Sequence, residues 1–183
     1  MRICVYGSLN PPRDPAWTDL AAEFGRQLAG RGHVFLFGGG GTGLLGTAAR
    51  AARDTGGVLT AVVRTDQCWE TPLEGAYPRI KVSGYRQRKQ AMEEYADGFV
   101  VLPGGIGTLD ECVETLILES RWKPVAIYQP DGRYYEPLRV LFHQAAAEGL
   151  LSSDWNLDAW FCNTLDQIWT VLGALSHRAE EMR

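Results

Sequence analysis

The sequence predicts an α/β domain: one doubly wound, Rossmann-like, mostly parallel sheet with helices on both faces, spanning residues 1–183 as a single unit. Three observations carry that expectation. Short apolar runs alternate with amphipathic stretches of about ten residues or more, the pattern of repeated βαβ units. The apolar runs are nearly continuous rather than alternating, as in parallel strands buried on both faces. Two glycine-rich segments also follow apolar runs directly, where such sheets make sharp strand-to-helix turns and bind ligands.

Along the chain, Ile3 to Tyr6 reads as the first strand. Asp14-Pro15 marks a helix start, with proline in the first turn. Leu20, Phe24 and Leu28 give that helix one apolar face, and Gly30-Arg31-Gly32 ends it. His33 to Phe37 is a second strand running into four glycines, followed by a helix over Leu44 to Thr55 and a strand over Val58 to Val63. Residues 64 to 80 contain Pro72, Gly75 and Pro78 and show no clean period. So long an irregular excursion inside a compact domain usually serves function. A short strand over Ile80 to Val82, a helix over Tyr85 to Tyr95 and a buried strand over Phe99 to Leu102 lead into Pro103–Thr108. Helix Leu109 to Ser120, strand Val125 to Tyr128, and helices Glu136 to Glu148 and Thr164 to Leu175 complete the pattern.

Composition narrows the classes. A chain of 183 residues with 45% hydrophobic and 22% charged residues is globular and large enough to bury a core without staples. A formal net charge of −4 argues against sequence-independent binding of nucleic acid, which needs a basic surface. No stretch approaches the ~20 apolar residues of a membrane span. The N-terminus lacks the apolar core of a signal peptide, so a cytoplasmic location is expected. Cys4, Cys68, Cys112 and Cys162 form no CxxC pair and read as free thiols, mostly buried. His33, His143 and His177 lie far apart, and no metal site is expected.

The glycine segments are Phe37–Gly46 (FGGGGTGLLG) and Leu102–Glu111 (LPGGIGTLDE). Glycine lets backbone N–H groups approach a phosphate, and the helix N-terminus adds partial positive charge. Neither segment has the Lys-Ser/Thr ending of a P-loop, and no acidic residue ends the strand at Val63 as a dinucleotide site requires. A mononucleotide is the better ligand. Each segment also has a plainer reading, as a tight turn with close packing. Thr108 and Glu111 have the spacing of a capping box, which accounts for Glu111 without catalysis. The run Arg86, Arg88, Lys89 likewise reads as a solvated helix face, and Met92 as a packing residue.

PGGIGTLDE fits the pattern PGGxGTxxE. Together with GGGGTGLLG upstream and Arg88-Lys89 and Met92 between them, it resembles the LOG (Lonely Guy) family of cytokinin riboside 5′-monophosphate phosphoribohydrolases. The similarity runs over roughly residues 3 to 150, through Asp97, Lys123–Val125 and Asp131–Leu138. The resemblance implies hydrolysis of a nucleoside 5′-monophosphate to free base and ribose 5-phosphate, without a cofactor, in a homodimer. It assigns the 5′-phosphate to Gly104, Gly105, Gly107 and Thr108, and catalysis to Arg88 and Glu111. Gly7, Ser8, Glu74, Lys89 and Glu114 fall at sugar- or base-side positions, and Gly39, Gly40 and Gly43 belong to the first glycine loop. A carboxylate suits an oxocarbenium-like transition state, and Glu111 near a helix N-terminus is expected to be ionised. Arg88, permanently charged, is suited to positioning rather than proton transfer.

The chain departs from that pattern in places. Gly41 stands for a usual serine, Leu45 for a methionine, and Val62-Val63-Arg64 for the usual Ile-Pro, with Asp66, Cys68 and Trp69 beyond. The segment between Glu114 and Lys123 is also short. These departures leave the identity of the base open. The alternative function is a non-catalytic carrier or sensor of a nucleotide or a phosphorylated pterin cofactor. The decarboxylase label attached to PGGxGTxxE proteins finds no recognisable pyridoxal-phosphate lysine signature.

Overall fold

The computed structural model describes residues 1–66, 71–118, 120, 122–152 and 155–181. Its strands are β1 (Arg2–Tyr6), β2 (Val34–Phe37), β3 (Val58–Arg64), β4 (Arg79–Val82), β5 (Gly98–Val101), β6 (Val125–Tyr128) and β7 (Phe161–Cys162). Its helices are α1 (Pro15–Gly30), α2 (Gly43–Asp54), α3 (Tyr85–Tyr95), α4 (Ile106–Leu118), α5 (Glu136–Ala147) and α6 (Leu165–Glu181). The strands form one sheet in the order β4-β3-β2-β1-β5-β6-β7, and every pair is parallel. The chain winds outward from β1 to β4, then crosses back to lay β5 on the other side of β1. That reversal places a switch point between β1 and β5.

The core forms two layers divided by the sheet. Phe24 and Leu28 of α1, Leu44 and Ala48 of α2, and Ile168 and Leu172 of α6 cover one face. Ala91 and Met92 of α3, Cys112 and Leu116 of α4, and Trp160 cover the other, with Leu138 and Phe142 of α5 partly buried against them. The predicted start of α1 holds in detail: Asp14 caps it by accepting the Ala16 N–H at 2.9 Å, with Pro15 in the first turn. Cys4, Cys112 and Cys162 are buried free thiols, while Cys68 and Trp69 lie outside the described residues.

Several boundaries differ from expectation, α6 running to Glu181 rather than Leu175 among them. α4 starts at Ile106 rather than Leu109, because the turn is finished at Gly105 and tertiary packing overrides the poor helix propensity of Gly107. β7, two residues long, is too short to leave a periodic signal. Within the excursion at 64 to 80, β3 continues to Arg64, and Thr71–Leu73 folds back onto the first glycine loop. Gly41 N–H donates to the Thr71 carbonyl at 2.7 Å, and Leu73 N–H donates to the Gly39 carbonyl at 2.9 Å.

Candidate active site

A cavity of about 310 Å³ opens at the carboxyl ends of β1 and β5, at the switch point. The loop after β1 contributes Gly7, Ser8 and Asn10, and the loop after β5 contributes Gly105, Gly107 and Thr108. Tyr85, Arg88 and Met92 enter from α3, Glu111 from α4, and Leu45 from α2. The first N–H groups of α4 have no partners within the helix, and the residues that carry them border this space. Gly104 is held close to Thr108: a Cβ there would lie 2.2 Å from the Thr108 hydroxyl. At Gly105 and Gly107 a Cβ would meet nothing within 4 Å.

Arg88 is 8% exposed, so the reading of its run as a solvated face fails at this position. Its guanidinium crosses the end of β2, where a Cβ on Gly38 would stand 3.3 Å from Nη1. Nη2 lies 3.9 Å from Oε1 of Glu111, and the Tyr85 ring centroid is 5.3 Å from the guanidinium carbon. Charge is thus paired in a space largely shielded from water, where interactions with a ligand are strong. Burial, with the negative charge of Glu111 adding to it, raises the Tyr85 phenol above its usual range. Tyr6 beneath the cavity is raised well above it, mainly by burial, and its hydroxyl lies 3.1 Å from Thr115 Oγ1. Both phenols are therefore neutral at neutral pH.

The capping-box reading does not survive. With α4 starting at Ile106, Thr108 is the third helical residue and Glu111 the sixth, so Thr108 is not the cap. Glu111 also lies beyond the first turn, where the helix dipole has largely faded. Arg88 brings positive charge beside it instead.

Lys89 lies outside the cavity lining. Its ammonium bonds Asp110 at 3.0 Å and contacts Glu114, bracing α3 against α4. Burial works against its charge, but the hydrogen bonds to Glu114 and Asp110 prevail and raise its pKa. Glu114 is committed to that pair. Glu74 is exposed, and its backbone carbonyl accepts from Arg53 at 2.7 Å. Gly39, Gly40 and Gly43 also stand outside the lining; Gly40 bridges Pro72, and a Cβ on Gly43 would be 2.3 Å from the Ser8 carbonyl. The structure therefore gathers Gly7, Ser8, Gly105, Gly107, Thr108, Arg88 and Glu111 around one space, with Gly104 just behind it. Sequence reasoning missed Tyr6, Tyr85 and Asn10, which carry no motif of their own, and did not single out Gly38 within the first glycine segment. Among the described residues, no group of three or more His, Cys, Asp or Glu side chains is placed to hold a metal ion.

Fold and cleft together define a Rossmann-like α/β protein with its site at the switch point. A family profile described as "Possible lysine decarboxylase" matches residues 45–172. The chain is 37% identical over 159 residues to a probable cytokinin riboside 5′-monophosphate phosphoribohydrolase of Oryza sativa subsp. japonica, covering 84% of this chain and 70% of the relative. A second relative from that plant, named a cytokinin riboside 5′-monophosphate phosphoribohydrolase, is 35% identical, and this chain spans 64% of its length. The chain belongs to this phosphoribohydrolase family, the LOG family. Its fold is shared with a molybdenum cofactor binding protein from Rippkaea orientalis (TM-score 0.69, 17% identity, 95% of this chain and 96% of that one). It is shared too with the molybdenum cofactor carrier protein of Chlamydomonas reinhardtii (TM-score 0.66, 20% identity, 97% and 99%).

Proposed function

We propose that the protein hydrolyses the N-glycosidic bond of a nucleoside 5′-monophosphate, releasing free base and ribose 5-phosphate. The observation that carries this reading is the shared cavity: Arg88 and Glu111, 3.9 Å apart, face the same space as the first turn of α4. The 5′-phosphate sits against the N–H groups of Ile106 to Thr108, where the helix favours negative charge. Arg88 holds the ribose and phosphate side of the substrate. As the C1′–N bond breaks, its electron pair leaves with the base and positive charge grows on the sugar. The Glu111 carboxylate stabilises that charge and takes a proton from the water that adds to C1′. The base takes up a proton to leave as a neutral molecule.

Lys89 does not suit the role of a pyridoxal-phosphate lysine. A Schiff-base lysine needs its amine free of a proton. Lys89 is instead held as an ammonium by Asp110 and Glu114. No helix among the described residues is long and apolar enough to cross a membrane. The three buried free thiols fit a reducing compartment such as the cytoplasm.

The outer face of α4 supports a homodimer. Ile106 is 88% exposed, Ile117 61% and Leu118 51%, an apolar surface that a second copy would cover. Sedimentation of the wild type as a dimer, and of Ile117→Asp as a monomer, is the expected result.

The decisive assay incubates the protein with nucleosides and nucleoside mono-, di- and triphosphates and measures free base and ribose 5-phosphate. Release from monophosphates alone, abolished in folded Arg88→Ala, is the expected outcome. Tight nucleotide or pterin binding without turnover would replace the hydrolase with the carrier.

A further inference from the structure

A second recess of about 260 Å³ adjoins the reaction cavity and shares Ser8, Asn10 and Gly105 with it. The two spaces are therefore neighbours, with the Pro103–Gly105 loop along the side of the second. Their chemistry differs. The cavity holds a buried arginine and a carboxylate, whereas the recess is walled by Pro11, Pro12, Trp17, Leu44 and Tyr134 and has no charged side chain.

We propose that this recess is the base subsite, receiving the uncharged heterocycle of the nucleotide whose sugar and phosphate occupy the charged cavity. The inference rests on the nucleotide reading above and extends it to a surface that the PGGxGTxxE motif does not include. An ion entering the recess would lose hydration and meet no counter-charge, so a neutral occupant is favoured. Aromatic walls suit a flat π-system. Trp17 stands edge-on to Tyr134, with ring centroids 5.1 Å apart and an interplanar angle of 85°. The Tyr134 hydroxyl donates to the Gly104 carbonyl at 2.9 Å, which ties this wall to the loop after β5.

The rim supplies polarity without charge. Ser8 Oγ donates to the Asn10 carbonyl at 2.9 Å and accepts the Asn10 N–H at 3.0 Å, closing a tight turn. That turn sets Asn10, whose amide carries both donors and an acceptor for a base edge, where the two spaces meet. With Pro11 and Pro12 following, the wall is rigid before any ligand arrives, which lowers the entropy cost of binding. Size agrees as well. The charged cavity alone is at the lower limit of small-ligand sites, about 300–1,000 Å³, and the recess provides the additional room.

The test compares two ligands that differ by the base. Calorimetry measures binding of formycin 5′-monophosphate, an adenosine 5′-monophosphate analogue whose C–C glycosidic bond resists hydrolysis, and of ribose 5-phosphate to the wild-type chain, Trp17→Ala, Trp17→Phe and Tyr134→Leu. Trp17→Ala and Tyr134→Leu are expected to weaken the nucleotide by about tenfold while ribose 5-phosphate is unchanged, and Trp17→Phe to restore most of the loss. Tyr134→Leu, at a half-exposed position, keeps the question open to measurement if Trp17→Ala fails to fold. Equal weakening of both ligands, or no weakening of either, overturns the subsite. The analogue reads binding independently of turnover, so its binding without base release from nucleoside monophosphates would reject the hydrolase and leave the subsite standing. A wild type that binds neither ligand would reject both.

Discussion

The two glycine-rich loops flank β1 on opposite sides, one after β2 and one after β5, and look interchangeable in composition. Their missing side chains face different things. In the first loop a Cβ on Gly41 would lie 2.8 Å from the Leu73 nitrogen, and one on Gly43 2.3 Å from the Ser8 carbonyl. In the second, a Cβ on Gly105 or Gly107 would enter open space bordering the cavity. One loop uses glycine so that backbone can pack on backbone. The other uses it to leave room, which is what a ligand requires. Gly104 shows that the second loop also packs, against Thr108, so the division runs residue by residue.

The largest effect expected from this contrast lies on the helix that the second loop begins. Glu111→Gln keeps size and hydrogen bonding but removes the charge that an oxocarbenium-like sugar needs. Base release should fall on the order of 10²- to 10⁴-fold, with circular dichroism unchanged. Full activity would remove Glu111 from the chemistry and return the residue to a purely structural role. The next effect belongs to the first loop. Gly41→Ala forces a methyl onto the Leu73 backbone and should cost about 1–3 kcal/mol of stability, seen as a lower Tm. The kcat/KM of the folded fraction should match wild type, because Gly41 does not border the cavity. A stable variant that loses turnover would tie Gly41 itself to the site after all.

Much of this contrast was hidden from the sequence, and the reasons are physical. Strand and helix order was legible because parallel strands and amphipathic helices carry distinct periods; Tyr85 to Tyr95 matches α3 at both ends. Arg88, Glu111, Gly105 and Gly107 were reached through resemblance, and the fold brings them around one space. Local spacing misled at Thr108, where a capping box was read two residues inside a helix already begun. It also could not tell that Lys89 and Glu114 satisfy each other, since that pairing depends on how α3 docks against α4. Trp17 and Tyr134 meet only because the starts of α1 and α5 converge at one end of the sheet. Burial, not residue type, separates a glycine that packs from a glycine that makes room.

Gly107 gives the finest test, because two expected effects there have opposite signs. It is the second residue of α4, where alanine is the better helix former, and a Cβ would meet no protein atom within 4 Å. Gly107→Ala should therefore stabilise the fold by about 0.5–1 kcal/mol, a rise in Tm of a few degrees for a domain of this size. The same methyl borders the cavity beside Thr108, where the phosphate is proposed to approach the backbone. KM for a nucleoside monophosphate should rise severalfold while Tm rises with it. A packing glycine behaves in the opposite way, losing stability and sparing the site. If Gly107→Ala gains stability and binds substrate as well as wild type, the phosphate does not lie over this turn, and the anion site moves elsewhere along the cleft.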